Sequence, residues 1–138
     1  RAHLAAEPAA GTRVIPLQVA GAFHTRFMQP AVEILRTEAS TVISRDPSLT
    51  LWSNRDGSEV TSGASALELL VGQVANPVRW DLCMAAFADS GVTGIIELAP
   101  AGTLTGLAKR ALRGVPSVAV KTPDDLEAAA SLLAGASA

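Results

Sequence analysis

The stretch from residue 94 to residue 133 most constrains what this chain can fold into. Residues 94–98 (GIIEL) form a short, mostly apolar run. Leu104, Leu107, Ala108 and Ala111 then recur at helical spacing, with Lys109, Arg110 and Arg113 at the C-terminal end and Gly114 behind them. Residues 117–121 (SVAVK) form a second run. Thr122 follows as an N-cap, with Pro123 at N1 and Asp124 and Asp125 in the first turn. Leu126, Ala129, Ala130 and Leu133 complete a last helical stripe. Strand, helix, strand and helix joined by short links place the chain in the α/β class, with a parallel sheet covered by helices.

The preceding residues fit the same class. Residues 13–20 (RVIPLQVA) read as a strand, with Pro16 confined to an edge or bulge because it cannot donate to a ladder. A loop over residues 21–26 leads to Phe27, Ala31, Ile34, Leu35 and Ala39, one face of a helix that admits Pro30 in its first turn. Residues 49–53 read as a short strand ended by the turn Asn54-Arg55-Asp56-Gly57. Leu67, Leu70, Val71 and Val74 mark a helix that stops at Asn76-Pro77. Trp80, Cys83, Met84 and Phe87 mark another, closed by Gly91. Aromatic residues are only 4% of the 138, so the core is aliphatic and alanine-rich. The 49% hydrophobic and 17% charged content excludes disorder. A net charge of −2 gives no electrostatic reason to bind nucleic acid. No apolar run approaches the roughly 20 residues that span a bilayer. The single cysteine, Cys83, forms no internal disulfide and points to a reducing compartment. The chain opens at Arg1 without an initiator Met and closes in a small-residue tail, which reads as a natural C-terminus and a cut or artificial N-terminus.

An open parallel sheet keeps its ligands beyond the C-terminal ends of its strands. Two places answer to that: the loop after Val19, holding His24, and Ala99-Pro100-Ala101-Gly102 after Leu98, at a helix N-terminus. A strand-end histidine suits a general base near neutral pH. A hydrogen-bonded loop histidine without catalytic duty satisfies the same spacing. His3 sits in the opening segment and reads as solvated. There is no G-x-S-x-G elbow, no G-x-x-x-x-G-K-[ST] and no G-x-G-x-x-G, so neither an embedded serine nucleophile nor those phosphate cradles are present. No His, Cys, Asp or Glu pair shows metal-ligand spacing. Asp124-Asp125 reads as helix-start charge, and Cys83 as a buried small hydrophobe. Lys109, Arg110 and Arg113 complement a helix C-terminus, with an acidic partner as the alternative.

Three segments carry a family likeness together. They are Gly21-Ala22-Phe23-His24-Thr25-Arg26-Phe27-Met28, Gln73-Val74-Ala75-Asn76-Pro77-Val78-Arg79-Trp80 and Gly102-Thr103-Leu104-Thr105-Gly106-Leu107. Nearly the whole chain resembles the C-terminal half of malonyl-CoA:acyl carrier protein transacylases of the free-standing actinobacterial type. The resemblance implies the C-terminal part of an α/β-hydrolase-like acyltransferase fold. Residues 1–20 would end the inserted ferredoxin-like small subdomain, and residues 21–138 would form the C-terminal part of the large one. It implies ping-pong transfer of malonyl from coenzyme A to the phosphopantetheine thiol of acyl carrier protein through a serine acyl-enzyme. His24 matches the family's catalytic histidine, and Phe23 the residue that goes with malonyl rather than methylmalonyl. The serine, the arginine that pairs with the malonyl carboxylate and the oxyanion-hole loop lie upstream in the family and have no counterpart here. The N-terminal half of the same enzyme is therefore an expected partner, beside acyl carrier protein and the coenzyme A thioester. No cofactor, membrane or nucleic acid is implied, and the location is cytoplasmic. Ala101 stands where many members have glycine. Two alternatives remain: a malonyl-selective domain of a modular polyketide synthase, and a non-catalytic interaction module that keeps the fold.

The resemblance also assigns a main-chain carbonyl, at Gln73, to orient His24, and the sequence supplies a reason. In a helix that carbonyl accepts from residue i+4. Here that residue is Pro77, which has no N–H. A ring nitrogen of His24 is expected about 2.7–3.2 Å from the Gln73 oxygen.

Overall fold

A computed structural model of the chain describes residues 10–12, 14–15 and 19–136. Thr25 caps a 3-10 turn, Arg26–Met28, its hydroxyl accepting the Phe27 N–H at 3.3 Å. The turn leads into α1 (Gln29–Ala39), with Pro30 in its first turn. Helix α2 (Gly63–Gln73) packs against α1. Val32 and Ala39 meet Val71 and Ala75 there in a small buried core, with Met28, Leu67 and Val74 against it. An Arg36–Glu68 ion pair clips the two helices on their exposed side, where such pairs contribute little.

Two features set the start of α2. Asp46 accepts the Gly63 N–H at 2.9 Å, and the Ser62 hydroxyl accepts that of Ser65 at 3.2 Å, so two otherwise orphaned donors are satisfied. Gly63 also backs directly onto the Arg45 main chain. A Cβ there would overlap the Arg45 carbonyl and lie 2.8 Å from its nitrogen.

Residues 49–53 do not form the expected strand. Their pairing is one isolated antiparallel bridge, Trp52 to Glu59, flanked by Ser53 N–H to Ser58 O and Val60 N–H to Leu51 O, each 2.8 Å. Leu49 and Leu51 are exposed, so no apolar face is covered to extend a ladder. The Asp56 carboxyl holds the turn by accepting the N–H and O–H of Ser58, at 3.1 and 2.6 Å. Those bonds, with Arg55, lower its pKa to about 2. Helix α3 (Trp80–Asp89) follows. Phe87 meets Trp52 and Trp80 edge to face at 5.2 and 5.7 Å. Cys83, on the same helix, is fully buried, and burial pushes its thiol pKa up.

The parallel unit appears as the pattern requires. Strands β1 (Ile95–Leu98) and β2 (Ser117–Val120) pair in parallel, Ile95 opposite Ser117 and Leu98 opposite Val120. Helix α4 (Thr103–Ala111) crosses between them and packs on both, and α5 (Leu126–Ala136) packs on β2. A 3-10 turn, Pro123–Asp125, precedes α5. There Asp125 accepts the N–H groups of Thr122 and Lys121 at 3.0 and 2.9 Å, which draw its carboxyl below the usual range.

Of the expected strand at residues 13–20, residues 13 and 16–18 lie outside the described residues, and Val14, Ile15, Val19 and Ala20 are not in a strand. His3 also lies outside them. No described helix is long and apolar enough to cross a membrane.

Candidate active site

His24 sits in the turn that feeds α1, and two hydrogen bonds tie it to the C-terminal end of α2. Its backbone N–H donates to the Val74 carbonyl at 2.9 Å. Its ring Nδ1 lies 2.9 Å from the Gln73 carbonyl oxygen. A carbonyl can only accept, so this contact places a hydrogen on Nδ1, and in the neutral ring Nε2 is then the lone-pair nitrogen. His24 has a φ of 61°, in the left-handed region. The Thr25 hydroxyl donates to the Ala22 carbonyl at 2.6 Å and tightens the same turn. Phe23, the neighbouring residue, is half exposed.

The Gln73 carbonyl is available because Pro77 supplies no N–H. It is not wholly unshared, since the Asn76 N–H reaches it at 3.3 Å. That bond is longer than the one from His24 and is of the i+3 kind that tightens a last helical turn. The Gln73 side chain is buried, and its Nε2 donates to the carbonyls of Asn76 and Pro77 at 2.9 and 3.0 Å. The Asn76 amide returns to the Gly72 carbonyl at 2.7 Å. Beyond this knot, the Arg79 N–H donates to Asn54 O at 2.8 Å. The Arg79 guanidinium makes a forked pair with Asp81 at 3.0 and 2.7 Å, lowering the Asp81 pKa.

The second place expected for a ligand is already filled. The carboxylate of Glu97, from β1, lies at the N-terminus of α4. It accepts the N–H groups of Gly102 and Leu104 at 2.9 Å and of Thr105 at 2.8 Å. Burial alone raises the pKa of such a carboxyl. The donors of Thr105, Leu104 and Gly102 together outweigh that and hold it at about 2. The free donors of a helix N-terminus are what would attract an outside anion, so Ala99-Pro100-Ala101-Gly102 is a structural loop. Its left-handed residue is Gly102, with a φ of 123°, which is why alanine at position 101 is tolerated. Glu97 was missed in the sequence. The available signal was one carboxylate in an otherwise apolar strand, just before a loop into a helix.

The remaining candidates stay apart from the histidine. Lys109 and Arg110 lie in the last turn of α4, and Asp124 lies in the turn before α5. Among the described residues no group of three His, Cys, Asp or Glu side chains converges to hold a metal ion. The structure therefore brings His24 and Gln73 together with Phe23 beside them, on a loop and a helix end joined by two hydrogen bonds.

No family model matches the chain. Among curated proteins it is similar to the malonyl CoA-acyl carrier protein transacylase of Mycobacterium tuberculosis (strain H37Rv), 54% identical over 129 residues that cover 94% of this chain and 43% of the relative. It is similar to the protein of that name from Escherichia coli (strain K12), 32% identical over 132 residues covering 96% and 43%. The chain thus spans less than half the length of the curated relatives it matches. Among solved structures, the crystal structure of MCAT from Mycobacterium tuberculosis superposes with a TM-score of 0.82 at 54% identity, over 91% of this chain and 41% of that one. A malonyl-transacylase in complex with its type II PKS acyl-carrier protein superposes with a TM-score of 0.75 at 30% identity, over 85% and 38%.

Proposed function

The chain belongs to the malonyl CoA-acyl carrier protein transacylases, corresponding to the C-terminal part of their fold, and on that premise we propose that it carries the histidine base of malonyl transfer from coenzyme A to a carrier protein. The observation that carries this reading is the 2.9 Å contact between His24 Nδ1 and the Gln73 carbonyl. It selects the neutral tautomer whose Nε2 lone pair can accept a proton. The nucleophile is a serine of the same enzyme outside this chain. Its hydroxyl proton passes to His24 Nε2 as its oxygen bonds the malonyl carbonyl carbon. The carbon–sulfur bond to coenzyme A then breaks, and the leaving thiolate takes the proton back from His24. In the second half the pantetheine thiol gives its proton to His24, its sulfur takes the malonyl group, and the serine oxygen leaves with that proton. The Gln73 carbonyl, at a negative helix end, stabilises the imidazolium of each half.

On this reading residues 1–20 belong to the small subdomain and residues 21–138 to the large one. Malonyl-CoA is a substrate, no cofactor takes part, the carrier protein is the acceptor, and the reaction takes place in the cytoplasm. In the complete enzyme that carries this chain, transfer of radiolabelled malonyl to holo carrier protein should fall about a thousandfold or more in His24→Ala. A His24→Ala enzyme that transfers at the wild-type rate would refute the assignment.

A further inference from the structure

The Gln73 main chain faces His24, but its side chain points the other way and is the buried part. The residue four beyond Gln73 is a proline, so the Gln73 carbonyl at the end of α2 lacks its usual partner. Three residues close that end instead. The Asn76 amide takes the Gly72 carbonyl, His24 takes that of Gln73 with its ring and that of Val74 with its backbone N–H, and the Gln73 amide takes those of Asn76 and Pro77. The last pair draws the chain after the helix back under its own end.

We propose that the Gln73 side-chain amide is a positioning residue for His24, its two donors at 2.9 and 3.0 Å folding the Asn76–Pro77 segment back so that the Gln73 carbonyl aims at Nδ1. Gln73 thus acts twice, through a carbonyl that touches the histidine and an amide that aims the carbonyl. The amide touches no reacting atom. Its effect reaches the reaction through the imidazole, and the inference rests on the function proposed above.

The test uses the complete enzyme. Gln73→Met keeps the side-chain length and removes both donors. It should lower kcat for malonyl transfer about ten- to a hundredfold, in line with small misplacements of a catalytic group, and leave KM for malonyl-CoA near its wild-type value. The hydrogen-bonded Nδ1–H proton of His24, seen downfield by NMR in selectively labelled enzyme, should broaden or vanish in the variant. Ser62→Ala weakens the same helix from its other end and should leave that proton and kcat in place, which separates positioning from loss of helix stability. Gln73→Leu also removes both donors and is read identically should Gln73→Met not fold. A donor-free variant that retains kcat and the Nδ1–H signal would overturn the inference. Full activity in His24→Ala would instead overturn the function on which it rests.

Discussion

His24 is held at a φ of 61°, where side chains other than glycine, asparagine and aspartate are strained. Such a conformation costs on the order of 1–3 kcal/mol, and the two bonds to Gln73 and Val74 offset it. Asparagine tolerates this backbone, so His24→Asn should melt near the wild-type Tm while losing transfer. A calorimetric scan beside the transfer assay checks both. On the function proposed above, Phe23, next to His24, is expected to fill the space that an α-methyl group needs. Phe23→Ser should relax discrimination against methylmalonyl-CoA, a methyl being worth about 1–3 kcal/mol in a shaped pocket. The ratio of kcat/KM for the two thioesters is the measurement. Glu97 carries a pH signature. Its pKa is lowered from the ordinary 4.5 to about 2, so its contribution to stability is complete above about 4.5 and is lost as pH falls toward about 2. The Tm gap between wild type and Glu97→Gln should be widest above pH 5 and close through that acid window.

Among the elements, those that sequence reading placed best are the ones whose neighbours are near in the chain. The unit β1–α4–β2–α5 was legible because apolar runs, Thr122, Pro123 and the charged helix ends all agreed on it. The Gln73 carbonyl was assigned by the family resemblance, and Pro77, which has no N–H to give it, supplied the physical reason. Residues 49–53 misled because β-type composition does not create a partner strand, and a single bridge at Trp52 is all that forms. The Glu97 cap and the Gln73 amide were not legible, since periodicity says where a residue lies and not which way its polar tip turns. Gly63 was equally silent in the sequence. With the Arg45 main chain against it, Gly63→Ala must move backbone. It should destabilise the protein by about 1–3 kcal/mol, as overpacking does, read as a lowered Tm with the mean residue ellipticity of the folded state unchanged.

Across the whole molecule the described residues hold two strands in parallel, an arrangement that is ordinarily buried on both faces. Here Leu98 on β1 is 71% exposed, and Ile43 and Leu49 are 94% and 83% exposed. Apolar surface of this extent and a sheet edge unpaired among the described residues favour association. The 138-residue chain made alone should therefore associate with itself or another chain, and with no serine elbow it should stay unlabelled by radioactive malonyl-CoA. Light scattering after size exclusion, and hydroxylamine-sensitive label counted on the protein, check the two halves. A monodisperse monomer or stoichiometric labelling would contradict them.

Glu97 can also be viewed as a ligand that never leaves. Because it is part of the chain, it meets the amides of α4 at an effective concentration set by the tether, millimolar or above for short connections, and its pre-set geometry adds to that. Sulfate or phosphate in solution has to compete with an occupant that re-forms its three bonds as soon as they open. Such anions should pass α4 by at neutral pH and gain entry only where the carboxyl is protonated.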